Sequence, residues 1–162
     1  MKMNIYIGDG SKIKTRIRNQ HCSGNVEGSS LRKHVAKNIG YNLSTTTREK
    51  GSAKTRLDLI DPSFGENHIN EYMRSGKWKY VNCISAAEAK DFQFFAIQKI
   101  NPPTLFNINK GSWDIKTKDR YEELFKILID CPPLSYDETK VIPNLPGVYL
   151  FLSDTEPKYF KK

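Results

Sequence analysis

The sequence predicts an α+β fold, read as an α/β sandwich, on three observations. Short strand-like runs alternate with longer segments whose apolar residues recur at helical spacing. Prolines and glycines fall where helices start and stop. The chain has 162 residues, 38% apolar and 27% charged, which suits one compact domain with a real core over residues 1–162.

Residues 4–7 read as a short strand, ended by Gly8-Asp9-Gly10. Ile13 and Ile17 then sit at helical spacing within residues 11–21. A Gly/Ser/Asn loop covers 23–29, and Ser30 is read as the cap of a helix reaching Asn38, with Leu31 and Val35 inward and Gly40 as its stop. Residues 42–53 are polar, with a threonine run at 45–47, and read as an exposed loop or an edge strand. Asp61-Pro62 pairs a cap with a first-turn proline, predicting a helix to Arg74 with Ile69, Tyr72 and Met73 buried. Residues 78–84 alternate as a strand, placing Trp78, Tyr80 and Ile84 on one face. Ser85 and Glu88 form a capping box for a helix carrying Ala89, Phe92, Ala96 and Ile100, ended by Asn101-Pro102-Pro103. A last helix spans 118–129, with Tyr121, Leu124, Phe125 and Leu128 inward, and Pro146-Gly147 introduces a strand over 148–152. There are no internal repeats and no low-complexity segment.

Charge is unevenly spread along this frame. Residues 1–56 hold twelve Lys or Arg against three acids, whereas 57–162 hold fourteen against fifteen. The net +8 is therefore an N-terminal property. A localised basic region is the electrostatic footprint of a phosphate-backbone partner, although it also fits a solvated basic face. No apolar stretch is long enough to span a bilayer, and the basic stretch lacks the amphipathic face of a membrane-surface helix. Three widely spaced cysteines without a C-x-x-C pair argue against a disulfide framework or zinc site, so a reducing, cytoplasmic setting is the expectation.

Two fragments carry chemistry. One is Leu145-Pro146-Gly147-Val148-Tyr149 near the C-terminus; the other is Tyr6-Ile7-Gly8 near the N-terminus, with Arg16 ten residues beyond Tyr6. Together these resemble the GIY-YIG nucleases, in which a Gly-Ile-Tyr strand is followed by a Tyr-Ile-Gly strand and then by a helix presenting an Arg. The likeness extends to a later helix ending in Pro102-Pro103 and to Asn107, and spans residues 1–107 and 132–151. It implies a small central antiparallel sheet flanked by helices. The two motif strands stand in reversed order, which implies a circular permutation, with 1–110 carrying the Tyr-Ile-Gly strand, basic helices and metal-site helix, and 111–162 a leader helix and the Gly-Val-Tyr strand. A strand swap in a homodimer is the rival to a permuted monomer.

The resemblance implies DNA phosphodiester hydrolysis with Mg²⁺ or Mn²⁺. Arg16 would clamp the phosphate; Tyr6, ranked slightly ahead, or Tyr149 would activate water, because a tyrosine near an arginine and a metal loses its proton more easily. His21 or His34 would shuttle the proton; Asn107, Gly8 and Gly147 would brace the site. At the family's metal-binding Glu, nine residues before Pro102, this chain has Gln93, which keeps the shape and loses the charge that a hard cation prefers. The basic segment would track DNA through Lys12, Lys14, Arg18, Arg32, Lys33, Arg48, Lys54 and Arg56. By base rate, strand tyrosines are core aromatics with a wet hydroxyl and arginines on a basic helix are solvated. Three readings stay open: a metal-dependent endonuclease weakened at Gln93, a silent DNA-binding module on a nuclease scaffold, and a protein-interaction domain.

Overall fold

The computed structural model describes residues 3–100, 106 and 111–154. In chain order the elements are β1 (Met3–Gly10), α1 (Ile13–Thr15), α2 (Ser30–Ile39), β2 (Leu43–Thr47), β3 (Ala53–Leu57), α3 (Pro62–Ser75), β4 (Lys77–Asn82), α4 (Ala86–Lys99), α5 (Lys118–Asp130) and β5 (Gly147–Ser153). The observed class is the α+β one. A three-stranded antiparallel sheet runs β1-β5-β4, and β2 and β3 form a separate antiparallel hairpin. No described helix is long and apolar enough to cross a membrane.

The last strand in the chain is the central one. Every residue of β5 is buried, because one face carries Tyr149 and Phe151 and the other Val148, Leu150 and Leu152. A strand covered on both sides needs apolar residues on both, which is why Val148–Leu152 is a continuous apolar run without alternation. One core joins Tyr149 and Phe151 to Trp78, Ile13, Ile17, Val35, Ile69 and Met73. The other joins Val148, Leu150 and Leu152 to Ile7, Val81, Phe92, Ala96, Leu124 and Leu128.

Caps set the helix starts. Ser29, rather than Ser30, caps α2, its hydroxyl accepting the Arg32 N–H, and Gly40 ends the helix at φ +114°, a left-handed conformation that glycine adopts without steric penalty. Asp61 caps α3 ahead of Pro62, and Ser85 caps α4 by accepting the Glu88 N–H. Ile84 does not share a face with Trp78: β4 stops at Asn82, and Ile84 is 81% exposed. Phe125 is only half-buried, at the margin of the second core. The helix expected over 11–21 is α-helical for only its first turn, from Ile13 to Thr15, and a π-helix from Arg16 to His21. The loop before β5 is tied to that turn, since Ile13 N–H donates to Leu145 O and the Asn144 side chain pairs with Thr15.

Gly76 lets α3 turn tightly into β4 against the central strand. A Cβ there would overlap the buried Phe151 ring and lie 2.8 Å from Leu152 O. Neither a fully packed ring nor a ladder carbonyl yields cheaply, so Gly76→Ala is expected to destabilise the fold by about 1–3 kcal/mol, read from urea unfolding at unchanged m-value. An unchanged midpoint would show that the β4–β5 junction is slack.

Candidate active site

The pairing of β1 with β5 brings the two tyrosine motifs side by side, with Gly8 opposite Tyr149 and Tyr6 opposite Phe151. A Cβ on Gly8 would lie 2.7 Å from Tyr149 Cε2, so the missing side chain is the space the tyrosine ring occupies. Gly147 likewise has Ile13 Cδ1 3.0 Å from where its Cβ would stand. Tyr6 and Tyr149 pack on the same side, ring centroids 6.4 Å apart.

The π-helix supplies the other two groups. Cys22 N–H reaches back five residues to Ile17 O at 3.0 Å. That wide turn stacks each residue near the one five ahead of it, so Arg16 and His21 project to one side. In an α-helix, at 100° per residue, they would stand about 140° apart. His21 is completely buried beneath Tyr149. Its Nε2 lies 2.5 Å from Tyr149 Oη and its Nδ1 2.6 Å from Ser29 Oγ. A phenol is the stronger acid of the two hydroxyls, which favours the tautomer in which Tyr149 O–H donates to Nε2 and Nδ1–H donates to Ser29. Trp78 stacks on the imidazole, centroids 6.1 Å apart and planes within 10°.

Burial governs protonation here. The Tyr149 phenol is pushed well above its ordinary value by burial and secondarily by Tyr6, with Arg16 pulling the other way. Tyr6 is raised as well, again by burial against Arg16. At both tyrosines the desolvation outweighs the pull of Arg16. His21 is pushed well below the ordinary imidazole value by burial and then by Arg16 and Arg32, so it is neutral at pH 7, with Nε2 as its accepting nitrogen toward Tyr149.

Arg16 connects this interior chain to solvent. Its guanidinium bonds the Gln20 side chain and approaches Gly28 O at 3.5 Å, and its charge partly offsets the burial of the Tyr149 phenol. It lines an open pocket of about 350 Å³ with Asp9, Lys12, Thr15 and Gln20. Asp9 is half-buried there, its carboxyl raised by burial and pulled down by Arg16 and Lys90.

Gln93 is not placed as a metal ligand. Its side-chain N–H donates to Ile7 O at 3.1 Å, closing the outer edge of β1, which leaves only a neutral carbonyl oxygen. Mg²⁺ is held in proteins through carboxylates and phosphates, so this donor set does not fit it. Among the described residues no group of three or more His, Cys, Asp or Glu could hold a metal ion.

Other expected site residues fall elsewhere. His34 stacks on Phe106 at 5.4 Å, and the structure does not join it to the Tyr149–His21 pair. Asn107 lies outside the described residues. Arg32 is fully buried: it pairs with Glu66, donates to Asn70 Oδ1 at 2.6 Å and to His21 O at 2.8 Å, and so cannot reach a DNA phosphate. Arg18 clamps the segment before β5, donating to Tyr136 O and Thr139 Oγ1 at 2.9 Å each. Arg48 and Arg56 both pair with Glu27, whereas Lys12, Lys14, Lys33 and Lys54 remain at least partly exposed. Sequence reading missed Ser29, which sat one residue from the expected cap, and Asp9, which directly follows Tyr6-Ile7-Gly8. It also missed Glu66, for which there was no local signal.

The family model described as GIY-YIG catalytic domain matches residues 2–125. The matched span begins with the Tyr-Ile-Gly strand and stops before β5, the strand that supplies Tyr149. No curated protein and no solved structure matches the chain.

Two outcomes follow from this geometry. Truncating Arg32 strands Glu66, whose side chain is only 15% exposed, so Arg32→Ala is expected to lower stability by about 3–5 kcal/mol, and Arg32→Met/Glu66→Met by much less. Urea unfolding of both variants decides it; equal losses would mean that packing, not the stranded charge, dominates. The depressed His21 sets a pH dependence: below the unfolded value of about 6.5 the unfolded chain binds a proton that the folded chain refuses. Stability is then full above that pH and declines on acidification, by up to about 1.4 kcal/mol per pH unit for this group. His34 is shifted the same way, so the contrast with His21→Gln isolates the buried ring; identical slopes in the two proteins would refute its burial as a neutral group.

Proposed function

Because this chain belongs to the GIY-YIG catalytic-domain family, we propose that it is a nuclease-type domain acting on DNA phosphodiester bonds, with its proton relay and phosphate clamp assembled and its hydrolysis held low by Gln93. The observation that carries this reading is the hydrogen-bonded chain Tyr149–His21–Ser29 beside Arg16. GIY-YIG nucleases generally depend on a divalent metal, and position 93 offers it no carboxylate.

In this reading Arg16 binds two non-bridging oxygens of the scissile phosphate as a planar fork. The bound anion also offsets the positive field that Arg16 exerts on His21, so the imidazole becomes a better base when substrate is present. Water attacks phosphorus; its proton passes to Tyr149 Oη as the tyrosine's own proton moves to His21 Nε2, and the P–O bond to the leaving oxygen breaks, that oxygen taking a proton from solvent. Ser29 holds the tautomer in which Nε2 can accept. Tyr149 takes precedence over Tyr6 because it is the tyrosine hydrogen-bonded to His21. Affinity for DNA comes from the N-terminal basic segment through Lys12, Lys14, Lys33 and Lys54. The spatial order β1-β5-β4 supports reading the chain as a circular permutation of the family arrangement.

A second reading, a DNA-binding module that does not cleave, is favoured by the commitment of the Gln93 amide to Ile7 O. Plasmid nicking in Mg²⁺ or Mn²⁺ separates the two. Gln93→Glu is expected to raise metal-dependent cleavage above that of the unsubstituted chain, and adding Arg16→Ala or Tyr149→Phe to lower it again by about 10²–10⁴-fold. A Gln93→Glu variant that retains DNA but cleaves nothing would leave the binding module. DNA retention itself is expected to fall steeply between about 50 and 200 mM salt; salt-independent retention would argue against a phosphate-backbone partner.

A further inference from the structure

We propose that the pocket at the end of β1 is a metal-independent subsite for a DNA phosphate, in which Lys12, Arg16 and Lys90 supply the positive charge that a bound cation would otherwise bring. This rests on the reading that the partner is DNA.

The local charge carries the argument. The pocket has Lys12 and Arg16 in its wall against a single carboxylate, Asp9. Lys90 is exposed on α4, close enough to Asp9 to stabilise its charged form, and stands one turn before Gln93 on the same helix. Two cations in the wall, and a third acting on Asp9 from α4, therefore stand against one carboxylate. A divalent cation entering this cluster meets like charge and finds one charged ligand already in the field of Arg16 and Lys90, whereas a phosphate meets a complementary field. The exchange at position 93 works the same way. A Glu there would add a second carboxylate near Ile7 O, two residues from Asp9; the Gln adds none, and its N–H binds that carbonyl instead. Ser11 and Thr15, also in the pocket wall, offer hydroxyl donors to an anion.

The test uses the whole chain with a fluorescein-labelled DNA duplex in anisotropy titrations. They are run in EDTA and in Mg²⁺ across a salt series, with Lys12→Ala and Lys90→Ala as exposed-site variants, folding being checked by circular dichroism. The expected result is a Kd equal within about twofold in EDTA and Mg²⁺, and a slope of log Kd against log salt reduced by about one for each lysine removed. Electron paramagnetic resonance of Mn²⁺ is expected to show only the free ion. The inference is overturned by an affinity that falls more than about tenfold in EDTA, by lysine variants with an unchanged slope, or by immobilised Mn²⁺ that Asp9→Asn releases. DNA binding that requires the cation defeats this inference alone; absence of DNA binding at every salt concentration defeats the DNA reading as well.

Discussion

The site depends on one juxtaposition, the pairing of Gly8 with Tyr149 across the β1–β5 ladder. Antiparallel pairing fixes which residues face each other, and a shift of one residue would send Tyr149 to the opposite face, among the α4 and α5 side chains. In the observed register the tyrosine ring lies over a residue with no side chain, which is the only kind that leaves room for it. His21 then meets the hydroxyl from the π-helix, and Ser29 meets His21 from the cap of α2. The hydroxyl of a helix cap worth about 1 kcal/mol in stability thus also hydrogen-bonds the imidazole.

Two arginines shape the electrostatics of this interior in different ways. Arg32 is structural, holding α2 against α3 through Glu66 and the carbonyl of His21 through its guanidinium. Arg16 faces the pocket, and its charge partly offsets the burial of the Tyr149 phenol. Both disfavour a charged imidazole, so His21 waits as a neutral acceptor. In the proposed relay an anion arriving at Arg16 would remove part of that penalty and so couple occupancy of the pocket to basicity inside the protein. This is the physical content of the proposed relay, and it requires the relay to be dry: in water the same charges would be screened too strongly to matter.

Much of the frame was legible locally. Asp61-Pro62, Ser85 with Glu88, and Gly40 act within one helical turn, so they announce α3, α4 and the end of α2 from neighbouring residues alone. The buried stripes of Ile69 and Met73, and of Ala89, Phe92 and Ala96, follow from helical period. Ile84 misled because alternation continues past the point where β4 loses its partner: Cys83 N–H bonds Pro146 O instead of extending the ladder past Asn82 and Gly147. The π-helix was invisible because Ile13 and Ile17 fit helical spacing whichever way the following turn is wound.

Sequence alone determined the residue types and their local settings: two tyrosine motifs, an arginine ten residues past Tyr6, a basic first third, and a glutamine nine residues before Pro102. Those follow from composition and short-range spacing. Tertiary structure decided which tyrosine meets the histidine, that Arg32 is a core residue rather than a DNA contact, and that Gln93 closes a strand edge. Each of these is settled by groups far apart in the chain, by 128 residues for Tyr149 and His21, 34 for Arg32 and Glu66 and 86 for Gln93 and Ile7. Burial and hydrogen-bond satisfaction act on distances in space, and no local pattern encodes which of several cations will find a buried carboxylate.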